Sequence, residues 1–139
     1  MIRGSCLCRG IEFELDGVPF LSTCHCSMCR KNTGSAFSTA ASVPASDFRF
    51  VKGEDLAQLY ESSPGVYRAF CRVCGSRAPA HWAPGNLVFI PAGLFDDNPG
   101  VRPAAHTFVG SKAPWWEITD DLPRFEKEIP GYEPEQKKS

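Results

Sequence analysis

Seven cysteines fall into three tight groups: Cys6 and Cys8; Cys24, Cys26 and Cys29; Cys71 and Cys74. Thiols two or three residues apart can reach one ion from a single turn, and the loops between groups can supply further ligands. Their odd number, with no apolar leader in the opening Met-Ile-Arg-Gly-Ser-Cys, argues against a secreted disulfide scaffold. Metal is the better reading. Structural zinc takes four ligands in a closed tetrahedron, whereas catalytic zinc keeps three protein ligands and one open position. Seven thiols divide naturally between the two. The outer pairs, Cys6 with Cys8 and Cys71 with Cys74, close a four-sulfur site of the zinc-ribbon type, with Gly75 after the second pair. Cys24, Cys26 and Cys29 remain for a second, open site. Structural zinc contributes about 10 to 16 kcal/mol in small peptides, against a net domain stability of about 5 to 15 kcal/mol, so loss of the first ion is expected to unfold the chain.

Other readings of the thiols stay open. Buried free cysteines behave as small apolar residues, the central group could form a redox disulfide, and it could hold nothing in the resting protein. Arg9, Arg30, Lys31 and Arg72 flank the groups and could offset thiolate charge, or be ordinary surface charges.

The rest of the 139-residue chain reads as strands. Twelve glycines and twelve prolines disfavour a helical bundle. Ile11, Phe13 and Leu15 alternate with Glu12, Glu14 and Asp16, the pattern of a half-buried strand. Similar runs span Ala36 to Val43, Phe48 to Lys52, Ala57 to Glu61, Val66 to Phe70 and Leu87 to Ala92. The expectation is a mainly β fold of antiparallel sheets with little helix: a turn or two after Cys26, and another after Thr119 limited by Pro123. The length suits one domain over 1-129, with a flexible tail over 130-139. Fifteen Lys and Arg against sixteen Asp and Glu remove the electrostatic case for nucleic acid or a membrane surface as partner. No stretch approaches the roughly 20 apolar residues that span a bilayer, and a cytoplasmic protein is expected.

An open position on a three-thiolate zinc suits a soft ligand, and a small thiol is the obvious one. Coordination would deprotonate that thiol and hold its sulfur beside an entering aldehyde. His25, between two candidate ligands, could act as acid, base or fourth ligand, although a half-exposed loop histidine is the plainer reading. His81 and His106 could line a pocket or pack against Trp82 or Trp115, and Trp115-Trp116 is expected as aromatic core.

Several motifs together carry a resemblance. They are Gly4-Ser5-Cys6-Leu7-Cys8, Cys24-His25-Cys26-Ser27-Met28-Cys29-Arg30-Lys31 followed by Thr33-Gly34-Ser35-Ala36-Phe37, Ser62-Ser63-Pro64-Gly65, Phe70-Cys71-Arg72-Val73-Cys74-Gly75-Ser76, then His106, Ser111-Lys112 and Trp115. The chain resembles the glutathione-dependent formaldehyde-activating enzyme family, which includes centromere protein V. Arg9 departs from the glycine more usual in the family after the first pair. The resemblance implies a β-tent of packed antiparallel sheets held by zinc. It also implies a structural zinc on Cys6, Cys8, Cys71 and Cys74 and a second zinc on Cys24, Cys26 and Cys29, the residues of the chemistry. The implied reaction joins glutathione and formaldehyde as S-hydroxymethylglutathione, a carbon-sulfur lyase by its reverse direction. A non-catalytic zinc-binding module and a thiol redox protein are the alternatives, since a metal frame can persist while a pocket changes.

Overall fold

The computed structural model describes residues 1–130. The tail expected over 130-139 lies, beyond Pro130, outside the described residues. Eleven strands follow in chain order: β1 (Ile2–Ser5), β2 (Glu12–Leu15), β3 (Leu21–Cys24), β4 (Ser38–Pro44), β5 (Phe48–Lys52), β6 (Ala57–Ser63), β7 (Val66–Cys71), β8 (Arg77–Ala78), β9 (Ala80–Trp82), β10 (Leu87–Pro91) and β11 (Pro103–Thr107). They pair as three sheets in the orders β1-β2-β5, β11-β3-β4-β10-β9 and β6-β7-β8.

Alternation builds the core. β2 turns Phe13 and Leu15 fully inward, where they meet Leu21, Ala41, Val43, Val88 and Ile90 of the five-stranded sheet. Each such large side chain contributes about 1.5 to 3 kcal/mol on burial. Phe13 needs room opposite it: a Cβ on Gly4 would stand 2.3 Å from its ring. A second cluster, Cys6, Ile11, Ala69, Cys71, Ala78 and Ala80, sits where the first and third sheets approach. A third holds Cys24, Cys26, Cys29 and Phe108.

The mainly β, antiparallel expectation holds, with one parallel pair, β3 with β11. A parallel pair needs a long crossover, and here most of the chain runs between its two strands. The short alternating strands match the expected runs within a residue or two. β1, β3, β8, β9 and β11 are additions, and β11 begins Pro-Ala-Ala, which lacks the branched and aromatic residues that mark a strand.

Among the described residues the one α-helix is α1 (Ser27–Thr33). It starts where Cys26 Sγ accepts from the Cys29 N–H at 3.3 Å. It ends at Gly34, left-handed at φ 66°, whose N–H donates to Arg30 O. The helix expected after Thr119 does not form. That segment instead runs beside β11, with the His106 N–H donating to Pro123 O and the Phe125 N–H to His106 O, both at 2.9 Å. Trp115-Trp116 is likewise not core. Trp115 is 69% exposed, and Trp116 lies edge-on to Phe37 at the surface.

Gly53, between β5 and β6, is at φ +78°, and a Cβ there would stand 2.0 Å from Gly10 O. Backbone cannot yield as a side chain can. Gly53→Ala is therefore expected to destabilise the protein by about 2 kcal/mol or more, read as a lower urea midpoint. Gly17→Ala, with nothing within 4 Å of its added Cβ, should unfold close to the parent.

Candidate functional site

All three cysteine groups stand at strand ends. Cys6 follows β1, Cys24 closes β3 and Cys71 closes β7, so the turn after each strand aims its thiols together. The sulfurs of Cys6, Cys8, Cys71 and Cys74 lie within 4.8 Å of one another, as do those of Cys24, Cys26 and Cys29, and either group could hold a metal ion.

In the four-sulfur group, Cys6 Sγ to Cys8 Sγ is 3.6 Å and Cys8 Sγ to Cys71 Sγ is 3.9 Å. A tetrahedron with zinc–sulfur bonds of about 2.3 Å has edges of about 3.8 Å, so the donor set fits such an ion. Both loops are bound to their own sulfurs. The Ile11 N–H donates to Cys6 Sγ at 3.3 Å and the Gly10 N–H to Cys8 Sγ at 3.4 Å. The Leu7 N–H donates to Ser76 Oγ at 2.9 Å and joins the loops to each other. In the second loop Gly75, at φ +78°, lets its N–H reach Cys71 O at 2.8 Å. Arg9 adopts the left-handed region at φ 62°, so the residue that departs from the family's glycine occupies a conformation suited to glycine. Hydrogen bonds from the hydroxyl and N–H of Ser76 lower the Cys74 thiol to about 5. Cys8 is pushed up to about 11 despite the Gly10 N–H, because Cys6 and the other sulfurs crowd it. One sulfur ionises readily and its neighbour resists. A cation is what would let all four exist as thiolates.

The three-sulfur group is buried throughout, with Cys26 fully enclosed at the start of α1. Cys24 and Cys29 also line a cleft of about 110 Å³, together with Ser38, Arg68, Arg77 and Glu128 among others. His25 is not half-exposed, as its sequence position suggested; it is completely buried. Nor does it join the sulfur cluster. Its N–H donates to Thr107 O at 2.9 Å, pinning the cysteine loop to β11. Its ring is held by a chain: His25 Nε2 to His106 Nδ1 at 2.9 Å, and His106 Nε2 to both Asp120 oxygens at 3.0 Å. Burial, then the neighbouring His106 and Lys112, lower His25 to about 4, so its ring is neutral at neutral pH. Hydrogen bonds from His106 and the Leu122 N–H hold Asp120 below the usual carboxylate range. His81 lies elsewhere, exposed, beside Asn86.

The cations beside the sulfurs are not those adjacent in sequence. Arg9 pairs with Glu12 and Asp96, Arg72 with Asp55, and Arg30 donates to Ser111 O. Arg68 on β7 and Arg77 on β8 take the place instead. Arg68 Nη1 lies 3.6 Å from Cys29 Sγ, and Arg77 Nη1 donates to Ser38 Oγ at 2.9 Å. Nothing in the local sequence signals this, because each arginine reaches its partner across 39 residues by sheet pairing.

Two convergent thiol groups on the strand ends of a mainly β fold, one of them beside a cleft, define a cysteine-rich β protein equipped to hold metal. The chain belongs to the glutathione-dependent formaldehyde-activating enzyme family, whose model matches residues 1–111. That span contains all seven cysteines, both arginines and His106; Asp120 lies beyond it. A Halomonas elongata protein provisionally named a glutathione-dependent formaldehyde-activating enzyme is 29% identical over 131 residues, covering 85% of this chain and 81% of the relative. The crystal structure of a Rhodobacter sphaeroides protein matches with a TM-score of 0.59 and 25% identity, over 70% of this chain and 91% of that one. No helix among the described residues is long and apolar enough to cross a membrane.

An ionised carboxylate only accepts, so His106 Nε2 carries its proton. With one proton per ring, His106 Nδ1 accepts from His25 Nε2, and the buried His25 Nδ1 is left as an acceptor without a hydrogen-bond partner among the described residues. Nitrogen NMR at a pH where both rings are neutral is expected to find both as the Nε2–H tautomer, and Asp120→Leu should release His106 into a mixture. Mixed tautomers at His25 in the parent would contradict the chain. Because folding lowers the Asp120 pKa, its contribution is complete at neutral pH and is lost only as pH falls through that lowered value.

Proposed function

We propose that the protein is a zinc-dependent enzyme of the carbon-sulfur lyase type, acting in the cytoplasm as one domain over 1-129. Its substrates are a small thiol and a small aldehyde, with glutathione and formaldehyde as the pair. The observation that carries this reading is the double placement of Cys24 and Cys29, which belong to the three-sulfur group and also line the cleft. The family membership supports it independently.

Cys6, Cys8, Cys71 and Cys74 would hold a structural zinc, and Cys24, Cys26 and Cys29 a second one. When bound at the second group, zinc would lower the pKa of an entering thiol and fix its sulfur. The thiol enters through the cleft, since two of the three cysteines border it. Cys26 keeps its sulfur in place by capping α1, and His25 holds the loop beneath through Thr107 and His106. The substrate sulfur adds to the aldehyde carbon. A carbon–sulfur bond forms, the carbonyl π pair moves to oxygen, and oxygen takes up a proton. The product is the sum of thiol and aldehyde, with no net oxidation. Holding both reactants in one cleft lowers the entropic part of the barrier.

Cys71→Ser is expected to yield insoluble or unfolded protein, because the ion it helps hold contributes as much as the net stability. Cys26→Ala should stay folded, losing about 1 kcal/mol from the helix cap, one zinc equivalent by metal analysis, and the thiol-dependent activity. A Cys26→Ala protein that fails to fold would make the central group structural.

Glutathione added to zinc-loaded protein should bind with release of protons, measured by calorimetry in buffers of different ionisation enthalpy. The affinity should fall with pH as protons compete for sulfur. Absence of heat and protons at millimolar glutathione would favour a zinc-held binding module. One zinc with a central disulfide would favour a redox protein.

A further inference from the structure

Arg68 and Arg77 are half-buried and line the same cleft as Cys24 and Cys29. They arrive from adjacent antiparallel strands, β7 and β8. Each is anchored by uncharged groups. Arg68 Nε donates to Ser62 Oγ at 3.2 Å. Arg77 Nη1 donates to Ser38 Oγ, and with the Asn32 amide oriented to satisfy both groups, Arg77 Nε and Nη2 donate to its oxygen at 3.0 and 3.1 Å. Neither meets a carboxylate within ion-pair distance among the described residues. A guanidinium has five N–H donors. Arg68 commits one to Ser62 and one toward Cys29, and Arg77 commits three, so both keep donors for a ligand.

Burial lowers the Arg77 pKa, with Cys29 opposing that shift and Arg68 adding to it. Holding two like charges together beside a cleft is costly unless something negative completes the set. The sulfurs account for part of this. Three thiolates around a divalent ion carry one net negative charge and Glu128, which lines the same cleft, adds a second, so the two guanidiniums offer a ligand their remaining N–H donors rather than a net positive charge. Arg68 also borders a second hollow of about 390 Å³, lined by Lys31, Asn32 and Tyr60, and Lys31 adds a further positive charge there.

We propose that Arg68 and Arg77 form a carboxylate-reading pair that selects acidic thiols over neutral ones. The sulfur of the ligand lies toward Cys24 and Cys29, and its carboxylate meets the guanidiniums. The body of the ligand extends past Arg68 into the hollow beside Lys31. The inference rests on the reading that a thiol enters this cleft, and it makes the arginines specificity-determining residues for that thiol.

The test compares three probes by calorimetry on the full-length zinc-loaded protein. They are glutathione, its diethyl ester, and ophthalmate, the tripeptide in which a methyl group replaces the thiol. Glutathione should bind about tenfold or more tighter than the ester, the size expected of hydrogen bonds to a charged group. In Arg68→Gln the difference should shrink to below threefold, and ophthalmate should show the same dependence on Arg68. Arg77→Met is the second variant, and unchanged thermal unfolding of either variant qualifies its result. Equal binding of acid and ester by the parent, an acid preference that survives in both variants, or no binding of any probe overturns the proposal. If ophthalmate binds as tightly as glutathione while the Arg68 dependence persists, the arginine pair stands and the thiol reading falls.

Discussion

The convergence of four sulfurs from two distant turns is the constraint on which the rest of the molecule depends. Cys6 and Cys8 follow the strand that opens the first sheet, and Cys71 and Cys74 follow the central strand of the third. Their contact joins sheets that also share a cluster of alanines, Ile11 and cysteine side chains, with Phe50 and Leu56 packed against it. Apolar area is what ordinarily holds sheets together, and here part of the shared surface is sulfur. The N–H groups of Gly10 and Ile11, turned onto Cys8 and Cys6, and the link from Leu7 to Ser76 give the two loops one fixed shape.

The two thiol groups set the same side chain in different surroundings. In the four-sulfur group the sulfurs face one another and receive the N–H groups of Gly10 and Ile11 and the Ser76 hydroxyl. The three-sulfur group is anchored on one side by α1 and by His25 against Thr107, and on the other side it borders the cleft. Closed donor sets suit structure and open ones suit chemistry. The helix is short, and its first turn is tied to Cys26, so the one α-helix among the described residues serves to place a sulfur.

Polarity around the open group is arranged in two layers. Beneath it, a neutral buried histidine is oriented through a second histidine by a carboxylate at the surface. Beside it, two guanidiniums held by hydroxyl and amide groups face the cleft. Neutral anchors leave a guanidinium's charge unspent, whereas a carboxylate anchor would cancel it.

What the sequence determined by itself was local: the grouping of cysteines, the alternation that makes β2, β4, β5, β6, β7 and β10, and the turn after Cys26. These follow from spacing and side-chain periodicity, which act over a few residues. The tertiary structure decided everything that depends on which strands become neighbours. It set Arg68 and Arg77 beside Cys29 and Ser38, in place of the sequence-adjacent Arg30 and Arg72. It buried His25, drew Asp120 to His106, and left Trp115 exposed. It also turned the stretch after Thr119 from helix to an extended edge along β11, because Pro123 supplies a carbonyl without needing a donor's partner. None of these has a local signature, since the pairing of strands far apart in the chain is settled by how the three sheets share their buried faces.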